Sequence, residues 1–218
     1  MIDKVETIEL DGMLPRVFVS ESIPPSDVWK TSLVFKRGCR YLVEAASGGG
    51  KSSLCSYIYG ARIDYEGTLK FNGSDVSGIG INGWQRLRRN NLAYLPQELS
   101  LFPELTALQN IQLKNSLTNH VPETMIEEWL HELGIDSRRD YPVGRMSIGQ
   151  QQRVGIIRAV CQPFDFILLD EPVSHLDEDN NRKAAKIIQE VADSQGAGII
   201  STAVGNPLFL SDTINLRL

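Results

Sequence analysis

The sequence predicts an α/β fold: a mainly parallel sheet flanked by helices. Three observations carry that prediction. RYLVEA (40–45), FDFILLD (164–170) and AGIISTAV (197–204) are short apolar runs without polar alternation, the mark of strands buried on both faces. Stretches of helical composition separate them, among them the amphipathic EDNNRKAAKIIQEVADSQG (178–196), which stops at a glycine. A glycine triplet, 48–50, lies directly between the first apolar run and a helix.

The remaining elements follow in order. Residues 5–11 and 15–20 are strand-like, and ESIPPSD (21–27) is a loop. SLVFKRG (32–38) is a strand ending at Gly38, and KSSLCSYIYGAR (51–62) a helix. GTLKFNG (67–73) is a strand closing on an Asn-Gly turn. WQRLRRN (84–90) is a basic helical turn and NLAYLPQ (91–97) a strand halted near Pro96. Residues 104–140 have helical composition, punctuated by Pro122 and Gly134; Trp129, Leu130 and Leu133 form a core stripe there. SIGQQQRVGIIRAVC (147–161) is a helix with Val154, Ile157, Ala159 and Cys161 roughly on one side, and TINLRL (213–218) is a last strand.

With 218 residues the chain can bury one sizeable core. A net charge of -5 argues against a dedicated nucleic-acid binder, and Arg86, Arg88 and Arg89 read as a solvated turn. No apolar stretch is long enough to span a bilayer, and MIDKVETIEL lacks the pattern of a signal peptide. Cys39, Cys55 and Cys161 are scattered and odd in number, which fits free thiols in the cytosol.

Two motifs carry chemistry. Gly50, Lys51 and Ser52 fill the last three places of G-x-x-x-x-G-K-[ST], between a strand and a helix. Such a loop turns successive N–H groups inward as an anion nest, with the positive end of the next helix behind it. Ser47, Gly48 and Gly49 would complete the wrap, Lys51 would reach the β- and γ-phosphates, and Ser52 would place its hydroxyl on Mg²⁺. FILLDEP ends in Asp170 and Glu171, and ligands of open parallel sheets bind beyond the carboxyl ends of strands. Asp170 suits the Mg²⁺ shell, and Glu171 suits a general base for water attacking the γ-phosphate.

Over nearly its whole length the chain resembles the ATP-binding cassette family. ASGGGKSS (46–53) is similar to the Walker A loop, which adds Ser53 to the nucleotide-binding set, and FILLDEP to Walker B with its glutamate. YLPQELSLFPELTALQNI (94–111) is similar to the Q-loop, with Gln97 near Mg²⁺ and the attacking water. RMSIGQQQR (145–153) is similar to the signature, and SHLD, Ser174 to Asp177, to the D-loop. The resemblance implies a P-loop NTPase fold in a single cassette over 1–218, with an N-terminal antiparallel β part and a helical insert at roughly 98–145. It implies a head-to-tail homodimer or heterodimer with another cassette. Ser147, Gly149 and Gln150 of one subunit would cover the ATP of the other, and His175 can face that interface. It implies a separate transmembrane permease docked at the insert, placing the protein on the inner face of the cell membrane. Phe18 is the adenine-stacking candidate by position, whereas Trp29 reads as core. LFPELTALQNI and the short C-terminus are similar to the lipoprotein-release and cell-division type of cassette.

Three positions depart from the pattern. Ala45 stands at the first phosphate-loop glycine and Ile148 at the first signature glycine. The switch histidine falls on Ala203 or Val204, depending on whether motif or spacing is matched, and neither can hydrogen-bond a γ-phosphate. Slow hydrolysis, or a substitute polar group from IISTAVGN (199–206), is therefore expected. The main expectation is an ATPase subunit powering a transporter; a nucleotide-gated module, or a weakly hydrolysing half of a heterodimer, is the alternative. Cassettes of DNA repair or translation need longer insertions or a second cassette. Ser174 and His175 are not read as a nucleophile pair, because adjacent residues do not face each other by default.

Overall fold

A computed structural model describes residues 3–20 and 23–218. In chain order the strands are β1 (Thr7–Pro15), β2 (Ser32–Lys36), β3 (Arg40–Glu44), β4 (Tyr65–Phe71), β5 (Ser74–Asp75), β6 (Leu92–Leu95), β7 (Phe166–Asp170), β8 (Gly198–Ala203) and β9 (Thr213–Arg217). The helices are α1 (Lys51–Ile58), α2 (Ile81–Asn90), α3 (Ala107–Asn115), α4 (Glu123–Glu132), α5 (Ile148–Val160) and α6 (Glu178–Gln195). Two sheets form. One is antiparallel, in the order β2-β1-β4-β5, and the other is parallel throughout, in the order β6-β7-β8-β3-β9.

The apolar runs lie in the parallel sheet because each serves two cores. Along β7, Phe166 and Leu168 face a cluster shared with α1 and the antiparallel sheet. Ile167 and Leu169 face a second cluster, shared with α3, α4, α5 and α6. Strand alternation makes this division, so every residue of β7 is buried. Trp129, Leu130 and Leu133 join Ile156, Ile157 and Ile188 in the second cluster, so the segment 98–145 shares its core with the rest of the chain.

One expectation changes. Residues 15–20 do not form a strand: β1 runs to Pro15, and Arg16–Phe18 then make a short 3-10 turn. Proline has no N–H to continue a ladder, so pairing ends there. The two-residue β5 was too short to leave a periodicity. Of the loop expected at 21–27, positions 21 and 22 lie outside the described residues, and 23–26 have no regular structure.

Parallel pairing aligns strand ends. Glu44 of β3 lies opposite Ala203 of β8, and Asp170 of β7 lies opposite Thr202. The glycine loop and the acid pair therefore emerge at one edge, on either side of β8.

Candidate functional site

The phosphate loop takes its shape from left-handed glycines. Gly48 has φ +83° and Gly50 φ +93°, conformations that side chains disfavour. Gly50 thereby sets Lys51 as the first residue of α1. The Lys51 amine bends back over the loop and donates to Ala46 O at 3.0 Å and Ala45 O at 3.3 Å. It also lies 3.5 Å from Glu171 Oε1. The Ala45 methyl fits because position 49 has none: a Cβ on Gly49 would lie 2.8 Å from it. Ser47 is exposed, and Ser53 Oγ accepts from Arg62 Nη1 at 3.1 Å.

Two aromatic residues back the loop. A Cβ on Gly50 would lie 3.1 Å from both Phe18 Cε2 and Trp29 Cζ2. Trp29 is buried, as expected of a core residue, and its indole N–H also donates to Gly49 O at 3.2 Å. That fastening of the loop left no sequence signal. Phe18 is half-buried beside the same glycine.

Oxygen donors gather on the other side of α1. Ser52 Oγ donates to Gln97 Oε1 at 3.4 Å. Both line a cleft of about 310 Å³ with Asp170, Tyr94 and Glu98. Asp170 is 1% exposed, and Thr202 Oγ1 donates to its Oδ1 at 2.8 Å. The same hydroxyl accepts from Glu171 N at 3.1 Å, so Thr202 fixes both acids. A hydroxyl, an amide oxygen and one carboxylate are hard donors of the kind Mg²⁺ takes, and Mg²⁺ needs no cage of acids. Among the described residues there is no cluster of three His, Cys, Asp or Glu side chains placed to hold a metal.

Glu171 has φ +50°, a strained conformation for a residue with a side chain. Gln152 of α5 holds the loop that follows it. Its Nε2 donates to Glu171 O and to Ser174 Oγ, each at 3.2 Å, and its Oε1 accepts from His175 N at 3.0 Å. Gln152 and Thr202 were both missed by motif reading. The register of β7 and β8, once known, identifies Thr202; a glutamine run offers nothing to single out Gln152.

Ser147 caps α5 reciprocally with Gln150: Ser147 Oγ accepts from Gln150 N at 3.3 Å, and Gln150 Oε1 from Ser147 N at 3.0 Å. In this structure the Gln150 N–H bonds within the cap. The Ser147 hydroxyl proton and the Gly149 N–H remain. Ile148 is half exposed, and Gly149 backs onto the following loop: a Cβ there would lie 2.9 Å from His175 O. Asp177 caps α6, and the Asn180 N–H holds its carboxyl below the usual range.

The segment 201–206 offers its own site little. Ser201 is wholly buried with its hydroxyl unpartnered, and Thr202 is committed to Asp170 and Glu171. Asn206 Nδ2 donates to Val173 O at 3.0 Å. Ser174 and His175 do face each other, with Ser174 Oγ 3.0 Å from Nδ1. The tight loop folds the two side chains together. It still makes no triad, which would put the serine on Nε2 and an acid on Nδ1. Of the basic cluster, Arg88 donates to Tyr59 O and Gly60 O, and Arg89 to Leu117 O.

Comparison with known proteins gives one answer. A family profile described as ABC transporter matches residues 29–174. An uncharacterized ABC transporter ATP-binding protein of Bacillus subtilis, YclH, is 30% identical over 191 residues, covering 86% of this chain and 83% of the relative. The lipoprotein-releasing system ATP-binding protein LolD 1 of Caulobacter vibrioides is 31% identical over 187 residues, covering 79% and 80%. Among solved structures, the dimeric structure of MJ0796, a bacterial ABC transporter cassette, matches with a TM-score of 0.74 at 22% identity, covering 96% of this chain and 94% of that one; at that identity the likeness is one of fold. The chain belongs to the ABC transporter family, as an ATP-binding and ATP-hydrolysing subunit.

Proposed function

We propose that the chain works in a head-to-tail pair, with a second copy or another cassette, each ATP lying between the phosphate loop of one subunit and the Ser147 end of the other's α5. One observation carries the nucleotide-site half of the reading. Lys51, Ser52, Gln97, Asp170 and Glu171 converge at one sheet edge, with Lys51 3.5 Å from Glu171 and Ser52 3.4 Å from Gln97.

The amides of the 47–52 turn and the Lys51 amine hold the phosphates. Ser52, Gln97 and Asp170 would hold Mg²⁺, which neutralises charge on the phosphate oxygens. An arriving triphosphate competes with Glu171 for Lys51, which frees the carboxylate. Glu171 then accepts a proton as the oxygen of water bonds to the γ-phosphorus. The bond to the β,γ-bridging oxygen breaks, and its electron pair leaves with ADP. Phe18, beside Gly50, stacks on adenine.

A separate membrane-spanning permease docks on the groove of about 400 Å³ lined by Tyr59, Tyr94, Phe102, Leu113 and Arg158, where Phe102 and Leu113 are exposed. No helix among the described residues is long and apolar enough to cross a membrane. The subunit works at the cytoplasmic face, held by that partner. Ala203 and the exposed Ile148 support a second reading, a nucleotide-gated module or the weakly hydrolysing half of a heterodimer.

Phosphate release by the purified protein separates the two. Glu171→Gln should lower release on the order of 100-fold while magnesium-ATP still binds, and Lys51→Ala should lose binding. Equal release by wild type and Glu171→Gln would remove Glu171 from its role. Absence of release by the wild type would favour the second reading.

A further inference from the structure

The ATP site has no imidazole of its own. Ala203 and Val204 stand where one is expected, and the polar side chains of 201–206 are buried or bonded elsewhere. The chain holds three histidines, and one of them, His175, lies beside the signature helix. We infer that His175 acts in trans, its imidazole donating a hydrogen bond to the γ-phosphate held by the partner subunit. The inference rests on the head-to-tail reading above.

Two features support it. The first is placement. The His175 carbonyl packs on Gly149 so closely that a Cβ there would lie 2.9 Å from it. A nucleotide covered by the Ser147–Gly149 end of α5 would therefore lie beside the loop that carries the His175 ring. That ring is exposed, and among the described residues no hydrogen bond joins it to its own phosphate loop.

The second is its tautomer. Gln152 Nε2 donates to Ser174 Oγ at 3.2 Å, so the hydroxyl accepts there and its proton points elsewhere. His175 Nδ1 lies 3.0 Å away and takes that proton in the tautomer that carries its own on Nε2. A ring that accepts at Nδ1 carries its proton on Nε2. Gln152 also accepts from His175 N, which fixes the backbone. In that arrangement the relay occupies Nδ1 and leaves Nε2 as the donor for a phosphate oxygen.

Trans-complementation tests this. Lys51→Ala and His175→Ala homodimers should each release phosphate slowly, the latter reduced on the order of 100-fold, as when one donor to developing charge is removed. In an equimolar mixture, a mixed dimer pairs an intact phosphate loop with a partner's intact His175. Release should return to roughly a quarter of wild type, from random pairing of two subunits. His175→Gln, which keeps a donor near the Nε2 position, should retain more activity than His175→Ala. A parallel mixture of Lys51→Ala with Ser147→Ala tests the head-to-tail arrangement itself. Recovery in both mixtures supports the inference. Recovery with Ser147→Ala but not His175→Ala overturns the role of His175 and leaves the dimer standing. Recovery in neither, with the wild type active, overturns the head-to-tail reading and the inference with it. Wild-type turnover by His175→Ala alone also overturns the inference.

Discussion

Ala45 and Gly49 share the space of one methyl group. The sequence pattern asks for glycine at position 45, and an alanine there looks like a defect. In three dimensions the alanine fits because Gly49 opposite has no Cβ; one there would lie 2.8 Å from the Ala45 methyl. Gly49→Ala should therefore distort the anion nest and raise the Kd for magnesium-ATP roughly tenfold, and Ala45→Gly alone should change it little. The double variant should recover most of the loss, a coupling of about 1–2 kcal/mol, as expected for residues in contact. Equilibrium nucleotide binding to the four proteins measures it, and a double variant no better than Gly49→Ala would refute the shared-space account. The lesson on legibility is the same at Thr202. Lys51, Asp170 and Glu171 could be read from sequence because their chemistry is tied to a short local pattern. Thr202 acts through partners distant in the chain, and no local pattern records it; Gly49 was legible as part of the phosphate loop, but not as the space that the Ala45 methyl fills.

The elements themselves were largely legible, because strands buried on both faces must be continuously apolar and FILLD has few other readings. What the sequence could not supply was the tie between elements. Gln152 sits in the middle of α5, 2% exposed, and joins the helix to the loop after β7 through three hydrogen bonds. Its loss would leave Glu171 O and His175 N without these partners. Gln152→Met keeps the volume and removes the bonds. It should cost about 1–3 kcal/mol of stability, the usual penalty for unpaired polar groups in a buried setting. It should also lower kcat more than it raises KM, since Glu171 is held by that loop while the phosphate loop is not. Urea unfolding and steady-state phosphate release check the two parts. An unchanged kcat beside reduced stability would make Gln152 a packing residue only.

At the scale of the whole molecule, one sheet is clamped between two cores, and each core encloses a thiol. Cys55 lies in the cluster under α1 and Cys161 in the cluster of the longer helices, both with no exposed surface. Burial pushes both thiols up, and for Cys55 the negative charge of Asp170 adds to it. The folded protein keeps them protonated where the unfolded chain ionises, near the ordinary thiol value of about 8.5. Their contribution to stability is therefore complete below that pH and is lost as pH rises above it. The two together should lower the unfolding free energy by about 3 kcal/mol between pH 8.5 and 10. Urea midpoints across this range test it, with a Cys55→Ala/Cys161→Ala variant as reference, because the tyrosines and lysines titrate equally in both. The variant should be less stable at pH 7.5 from lost packing, yet flatter in its pH dependence. Parallel curves for the two proteins would mean that the cores admit thiolate or water, contrary to the complete burial of Cys55 and Cys161.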